Sequence, residues 1–201
     1  NRTRVTEALL AAAPRLEVVG RLGVGLDNID VDACTARGIA VVPATGANDQ
    51  SVAEYVMTSA AMLLRGAFGA KDAMLAGAWP RQALIGRELA GKTMGLVGLG
   101  SIARQVKRRA VAMGMAVAAF DPLLPKGDPA WDGVHRQDFP ELLASADVLS
   151  LHVPLTPATT NLIDRQALGR MRPEAILINA ARGGIVDEAA LAQALRSRKL
   201  G

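Results

Sequence analysis

Apolar residues along this chain follow two rhythms. From about residue 92, short apolar runs alternate with stretches in which apolar residues return every third or fourth position. Thr93-Met94-Gly95-Leu96-Val97-Gly98 is such a run and reads as a buried strand. Ile102, Val106, Ala110 and Met113 then share one helix face, with Ser101 as the expected N-cap and Gly114 as the stop. A second strand, Met115 to Phe120, ends at Asp121, because Pro122 cannot continue a ladder. After a Pro-, Gly- and Asp-rich loop to Gly133, Asp138 caps a helix to about Ala146. Asp147 to His152 is a strand, Asp164 caps a helix to Met171, Ala175 to Asn179 is a strand, and Asp187 caps a last helix. Four strand–helix units in about 110 residues predict a parallel sheet with right-handed crossovers.

The first 46 residues read as a separate, partial α/β unit. Helices are expected over Thr6–Ala13 and Val31–Arg37, and strands over Leu16–Gly20 and Ile39–Val42. Ser51-Val52-Ala53-Glu54 has capping-box spacing and is expected to open a long apolar helix through Leu64, with Glu54 as the box partner. Gly66 to Gly91 reads as an arm or connector. The chain opens without a preceding strand and closes on Leu200-Gly201, a helix-ending signal, so a piece of a longer chain is expected.

Composition narrows the function classes. The chain has 201 residues, half of them hydrophobic, 21% charged, with mean hydropathy +0.21. That excludes intrinsic disorder, and no charge-free run reaches the ~18–20 residues of a membrane span. One cysteine, Cys34, excludes a disulfide framework and reads as a small core residue; two histidines leave little for a metal site, and none is expected. The composition fits a cytoplasmic protein. The charge of +4 and pI near 9.7 come from scattered Lys and Arg, and aromatics are only 3% of the chain. Nucleic acid is therefore not an expected partner, whereas anionic small ligands are.

Gly98-Leu99-Gly100-Ser101-Ile102-Ala103 has G-x-G-x-x-A spacing, directly after a strand and opening a helix. Gly98 permits the tight turn, Gly100 admits a pyrophosphate, Ala103 allows close helix packing, and amides near Ser101 and Ile102 face the phosphates. Asp121 follows 23 residues after Gly98, at a strand end, where a carboxylate accepts ribose hydroxyls and repels a 2′-phosphate. Pro122-Leu123-Leu124 bring no Arg to such a phosphate, so NAD is expected over NADP. Gly91-Lys92-Thr93 is not a P-loop, because it precedes its strand.

These motifs, together with Gly23-Val24-Gly25-Leu26-Asp27-Asn28-Ile29-Asp30, Ser51-Val52-Ala53-Glu54, His152-Val153-Pro154-Leu155-Thr156 and Asn179 to Glu188, resemble the D-isomer-specific 2-hydroxyacid dehydrogenases, which include phosphoglycerate dehydrogenase and glyoxylate/hydroxypyruvate reductases. The resemblance covers essentially the whole chain. It implies a Rossmann-type doubly wound parallel sheet (92–201), a partial flavodoxin-like α/β substrate domain (1–46), and an interdomain helix and dimerisation arm (47–91). The implied reaction is hydride transfer between NAD and a small 2-hydroxy or 2-oxo acid in a cleft between domains, by a homodimer.

The resemblance places the family's arginine at Arg182, a planar donor for the acid's carboxylate and carbonyl. The Val24-Gly25 turn offers amides to the same carboxylate, with Asn28 beside it or simply stabilising the turn. Ala180 faces the nicotinamide, and His152, Val153, Pro154 and Thr160 line the cofactor's side of the crevice. His152 has a second reading as a satisfied strand-end histidine, and His135 reads as uninvolved. Arg21 points either to a second anionic group on the substrate (phospho-, sulfo- or dicarboxylate) or to a solvated charge. The family's proton-donating histidine and its glutamate fall beyond the end of the sequence, so these 201 residues alone are expected to be inactive. A non-enzymatic alternative is an NAD-sensing corepressor-like binding module.

Overall fold

The computed structural model describes residues 3–200; Asn1, Arg2 and Gly201, the last read above as part of a helix-ending signal, lie outside them. Its contacts divide the chain into two compact units, 1–49 and 50–201.

The first unit contains α1 (Glu7–Ala11), β1 (Val18–Arg21), α2 (Val31–Ala36) and β2 (Ala40–Pro43). Thr6 and Asp30 cap the two helices with their side chains. The strands pair in parallel, Val18 opposite Ala40. Leu10, Ile29, Cys34 and Ile39 form the small core beneath them, so Cys34 is a packing residue.

The second unit begins as α3 (Asp49–Arg65) and α4 (Lys71–Leu75) lead into β3 (Thr93–Val97), α5 (Ser101–Ala112), β4 (Ala116–Phe120) and β5 (His135–Arg136). It continues with α6 (Phe139–Ser145), β6 (Val148–Leu151), α7 (Arg165–Arg170), β7 (Ile176–Asn179) and α8 (Glu188–Arg196). All five strands are parallel, in the order β5-β4-β3-β6-β7. One core joins α3 and α5 to one sheet face through Val56, Ala60, Leu64, Ala103, Val106 and Met94. Another joins α6, α7 and α8 to the opposite face through Leu142, Leu149, Leu168, Ile185 and Ala190. Coverage of both faces explains why these strands read as unbroken apolar runs, and it makes the sheet doubly wound as expected.

Three local expectations are corrected. Helix α3 starts two residues before Ser51, so Ser51 lies inside its first turn and the capping box does not form. Glu54 instead accepts from Gln50 Nε2 at 2.9 Å and pairs with Arg109 of α5 at 3.5 Å. The N-cap of α5 is Gly100 rather than Ser101, which is the first helical residue. Between the loop after Pro122, which ends at Gly133, and the Asp138 cap lies a strand the pattern did not announce: β5, through which His135 pairs with Ala118 at the sheet edge. A capping box does form at α6, where Asp138 accepts from Glu141 N at 2.8 Å and Glu141 returns the bond to Asp138 N at 3.1 Å.

Candidate functional site

Strand β3 lies between β4 and β6, and the chain winds outward from it in both directions. Such a reversal opens a crevice at the carboxyl ends of the strands. Gly98 ends β3 there with φ +87°, and a Cβ on it would sit 2.7 Å from the His152 carbonyl oxygen. The fold itself therefore demands glycine at 98. Gly100 differs: its φ is −72°, and a Cβ there would meet nothing within 4 Å. Among the described residues nothing approaches a Cβ at 100, and the open space over the main chain there fits a pyrophosphate. Helix α5 supports the same fit, with no side-chain cap, no acidic residue in its first turn, and Ala103 fully buried against the sheet.

Asp121 is built into this turn. Its Oδ2 accepts from Leu99 N at 2.9 Å, and its Oδ1 from Leu123 N and Leu124 N at 3.0 and 3.1 Å. A carboxylate has about four acceptor directions, so room remains for a ribose hydroxyl. The tie to Leu99 was not visible in the sequence. Nor were Lys126 and Arg136, which line a concavity of about 470 Å³ with Asp121.

Across the crevice, His152 follows β6. Its Nε2 lies 2.9 Å from the hydroxyl of fully buried Ser150, and burial pushes its pKa down to about 4. The ring is thus neutral near pH 7. It is a bonded strand-end histidine whose backbone also bounds the Gly98 turn. Val153 packs against that turn as well. Beyond it, hydroxyls fix the loop. Thr159 donates to the Pro154 carbonyl at 2.6 Å and Thr160 to the Thr156 carbonyl at 2.8 Å.

At the end of β7, Arg182 is partly buried and donates through Nη1 to the Ala181 carbonyl at 2.8 Å. Asn179 braces this loop from both ends of its amide. Its Oδ1 accepts from Ala181 N at 3.1 Å, and its Nδ2 donates to the Arg182 carbonyl at 2.8 Å. Val52, Tyr55 and residues 179–183, including Ala180, line a concavity of about 510 Å³. Asn179 and Tyr55 were not singled out in the sequence. An Asn between an apolar run and small residues is a turn signal that would have found the first.

In the first unit, Arg21 folds back over its own turn. Its Nε donates to the Gly25 carbonyl and its Nη1 to the Leu22 carbonyl, both at 3.0 Å. Val24 is exposed beside Gly25, and Asn28 Nδ2 donates to the Thr3 carbonyl at 2.6 Å, a stitch between chain segments. Among the described residues no group of three His, Cys, Asp or Glu is placed to hold a metal ion, and no helix is long and apolar enough to cross a membrane.

The sequence profile described as the D-isomer specific 2-hydroxyacid dehydrogenase, NAD binding domain, matches residues 57–201. This chain belongs to that family. Family members with similar sequences include (S)-sulfolactate dehydrogenase of Chromohalobacter salexigens, 59% identical over all of this chain and 65% of that protein. D-3-phosphoglycerate dehydrogenase of Mycobacterium leprae is 47% identical over 97% of this chain and 37% of its own length. Among solved structures, the NAD-dependent formate dehydrogenase of Staphylococcus aureus in complex with NAD superimposes with TM-score 0.84 at 34% identity, covering 98% of this chain and 59% of the other. The chain thus spans between about one third and two thirds of these dehydrogenases. Its NAD-binding unit contains the uncapped α5, the Gly98 turn and the Arg182 loop on one sheet edge.

Proposed function

We propose that this chain holds NAD and serves an oxidoreductase interconverting a small 2-oxo acid and its D-2-hydroxy acid, the acid bearing a second anionic group. The observation that carries this reading is Arg182. A partly buried guanidinium stands in a concavity on the same sheet edge as an open, uncapped helix start. The amides opening α5 and the space at Gly100 receive the pyrophosphate, and Ser101 and Ile102 supply the leading donors. Asp121 accepts the ribose hydroxyls, while His152, Val153, Pro154 and Thr160 bound the crevice. Ala180 would lie beside the nicotinamide, whose chemistry when bound would be to give or take the hydride. Arg182 orients the acid and stabilises the charge that develops on its carbonyl oxygen. The amides of Val24 and Gly25 take the carboxylate, and Asn28 ties the segment after that turn to Thr3.

The name of the sulfolactate relative favours a dianionic acid with a sulfonate as the second group, and Arg21, which braces the turn beside Val24 and Gly25, is the cation proposed to meet it. Its S descriptor agrees with D-specificity. The sulfur raises the CH2 arm above the carboxylate in priority, so the arrangement called R in lactate is called S in sulfolactate. The same reading assigns 1–46 to a substrate domain, 47–91 to a connecting helix and dimerisation arm, and 92–201 to the cofactor domain of a cytoplasmic homodimer. The relatives named above are dehydrogenases, which favours catalysis over a corepressor-like module.

Titration calorimetry tests the cofactor: NADH is expected to bind at least about 10-fold more tightly than NADPH, a difference of about 1.4 kcal/mol. No NADH binding, or a preference for NADPH, overturns the assignment. In the protein carrying this chain, NADH oxidation should be faster with sulfopyruvate than with pyruvate. Arg21→Ala should reduce kcat/KM more for the dianion; equal losses would remove Arg21 from substrate recognition.

A further inference from the structure

Cofactor choice in Rossmann folds is commonly credited to the carboxylate after the second strand and to cations in the few residues following it. Here those residues, Pro122-Leu123-Leu124, bring none. The fold supplies cations from farther along the chain. Lys126 in the loop and Arg136 on β5, 15 residues after Asp121, line the concavity that Asp121 borders. Among the described residues neither is in an ion pair with a carboxylate. Arg136 is held by stacking, its guanidinium carbon 5.4 Å from the centre of the Trp131 ring, an arrangement that leaves its N–H edges available. The other carboxylate on this concavity, Asp138, accepts through Oδ1 from Glu141 N at the start of α6 and keeps its negative charge.

From this placement we infer that Lys126 and Arg136 form a latent site for the 2′-phosphate of NADP, held closed by the negative charge of Asp121. The inference rests on the NAD reading above. The two carboxylates on this concavity, Asp121 and Asp138, offset the two exposed cations against a phosphate monoester, which carries close to two charges at neutral pH. Removing the Asp121 charge leaves the two cations in excess over Asp138, the remaining carboxylate on the concavity. Preference for NADH is then a balance struck by one residue, not a lack of groups able to hold phosphate.

The test compares ligands differing only in that phosphate. In the otherwise unaltered protein, Lys126→Ala with Arg136→Ala should weaken adenosine 2′,5′-bisphosphate binding about 5- to 10-fold, in line with the loss of two exposed charge contacts, and leave 5′-AMP within about 2-fold. Asp121→Asn keeps an acceptor for the Leu99 amide and removes the charge; it should strengthen NADPH binding at least about 10-fold, the gain vanishing when both cations are also replaced. Unchanged bisphosphate binding in the double alanine variant overturns the inference, as does a folded Asp121→Asn protein without a gain for NADPH. Should Asp121→Asn fail to fold, the bisphosphate–AMP comparison decides alone. Absence of NADH binding by the unaltered protein would instead remove the NAD reading.

Discussion

Helices α5 and α8 both follow a parallel strand and a glycine-bearing loop, yet their first turns are finished differently. Asp187 caps α8 by accepting from Ala190 N at 3.0 Å, and Glu188 adds a second negative charge to the first turn. Asp138 and Asp164 do the same for α6 and α7. Helix α5 has glycine in that position, no side-chain cap and no acid in its first turn; the neighbouring Asp121 accepts from Leu99 N, one residue before the cap. A side-chain cap is worth about 1 kcal/mol over alanine and only a few tenths over glycine, so α5 forgoes a little stability that its neighbours keep. What it keeps is a set of unspent donors at the crevice. The contrast separates a helix that closes itself from one left for an anion to close.

The sharpest way to break the contrast is to give α5 the cap of α8. Gly100→Asp fits the extended backbone at that position and a Cβ there meets no neighbour, so the fold should tolerate it. Stability should rise by a few tenths of a kcal/mol while NADH affinity falls at least about 100-fold, because a carboxylate occupies the donors and repels the phosphates. Urea unfolding and calorimetry on one sample read both. Retained NADH affinity would mean the helix start is not where the cofactor binds.

A second difference lies in the strand ends that support the two loops. The α5 turn rests on the backbone of His152, whose ring titrates, whereas the Arg182 loop rests on Asn179, which does not. His152 has a folded pKa near 4 against 6.5 in the unfolded chain. Between those values the unfolded chain binds the extra proton. Stability is thus complete above pH 6.5 and declines as pH falls to about 4, by about 3 kcal/mol in all. His152→Gln should flatten that slope. Equal slopes in denaturant series at pH 7, 5.5 and 4.5 would refute the assignment.

The smallest effect is the mirror experiment. Asp187→Ala should cost about 1 kcal/mol of stability and leave NADH affinity within about 2-fold. A cofactor effect comparable to that of Gly100→Asp would erase the distinction between the two helices.

These same elements explain what was readable in the sequence. Strands β3, β4, β6 and β7 were legible within a residue or so because burial on both faces leaves uninterrupted apolar runs. The caps at Asp138, Asp164 and Asp187 were legible because each precedes its helix directly. Gly98, Gly100 and Asp121 announced the crevice through their spacing, because the tight turn after β3 needs Gly98 and Asp121 closes on Leu99 N from the next strand end. Ser101 misled because capping propensity was credited to the hydroxyl, while the tight turn had already put Gly100 in that place. Ser51-Val52-Ala53-Glu54 misled in another way: the helix starts earlier, and Glu54 found Arg109, a partner 55 residues away. Strand β5 escaped notice because two exposed residues carry no periodicity. Tyr55, Lys126 and Arg136 reach their concavities through folding over distance, which no local pattern encodes.

The brevity of β5 also bears on how this sheet avoids growing. An outer strand with a long row of open amides and carbonyls invites a foreign chain to add itself. Here that border is two residues long, both exposed, one of them an arginine. Even a partly unfolded neighbour would find too few partners there to dock. The protein is guarded at this margin against aggregation by how little edge it offers.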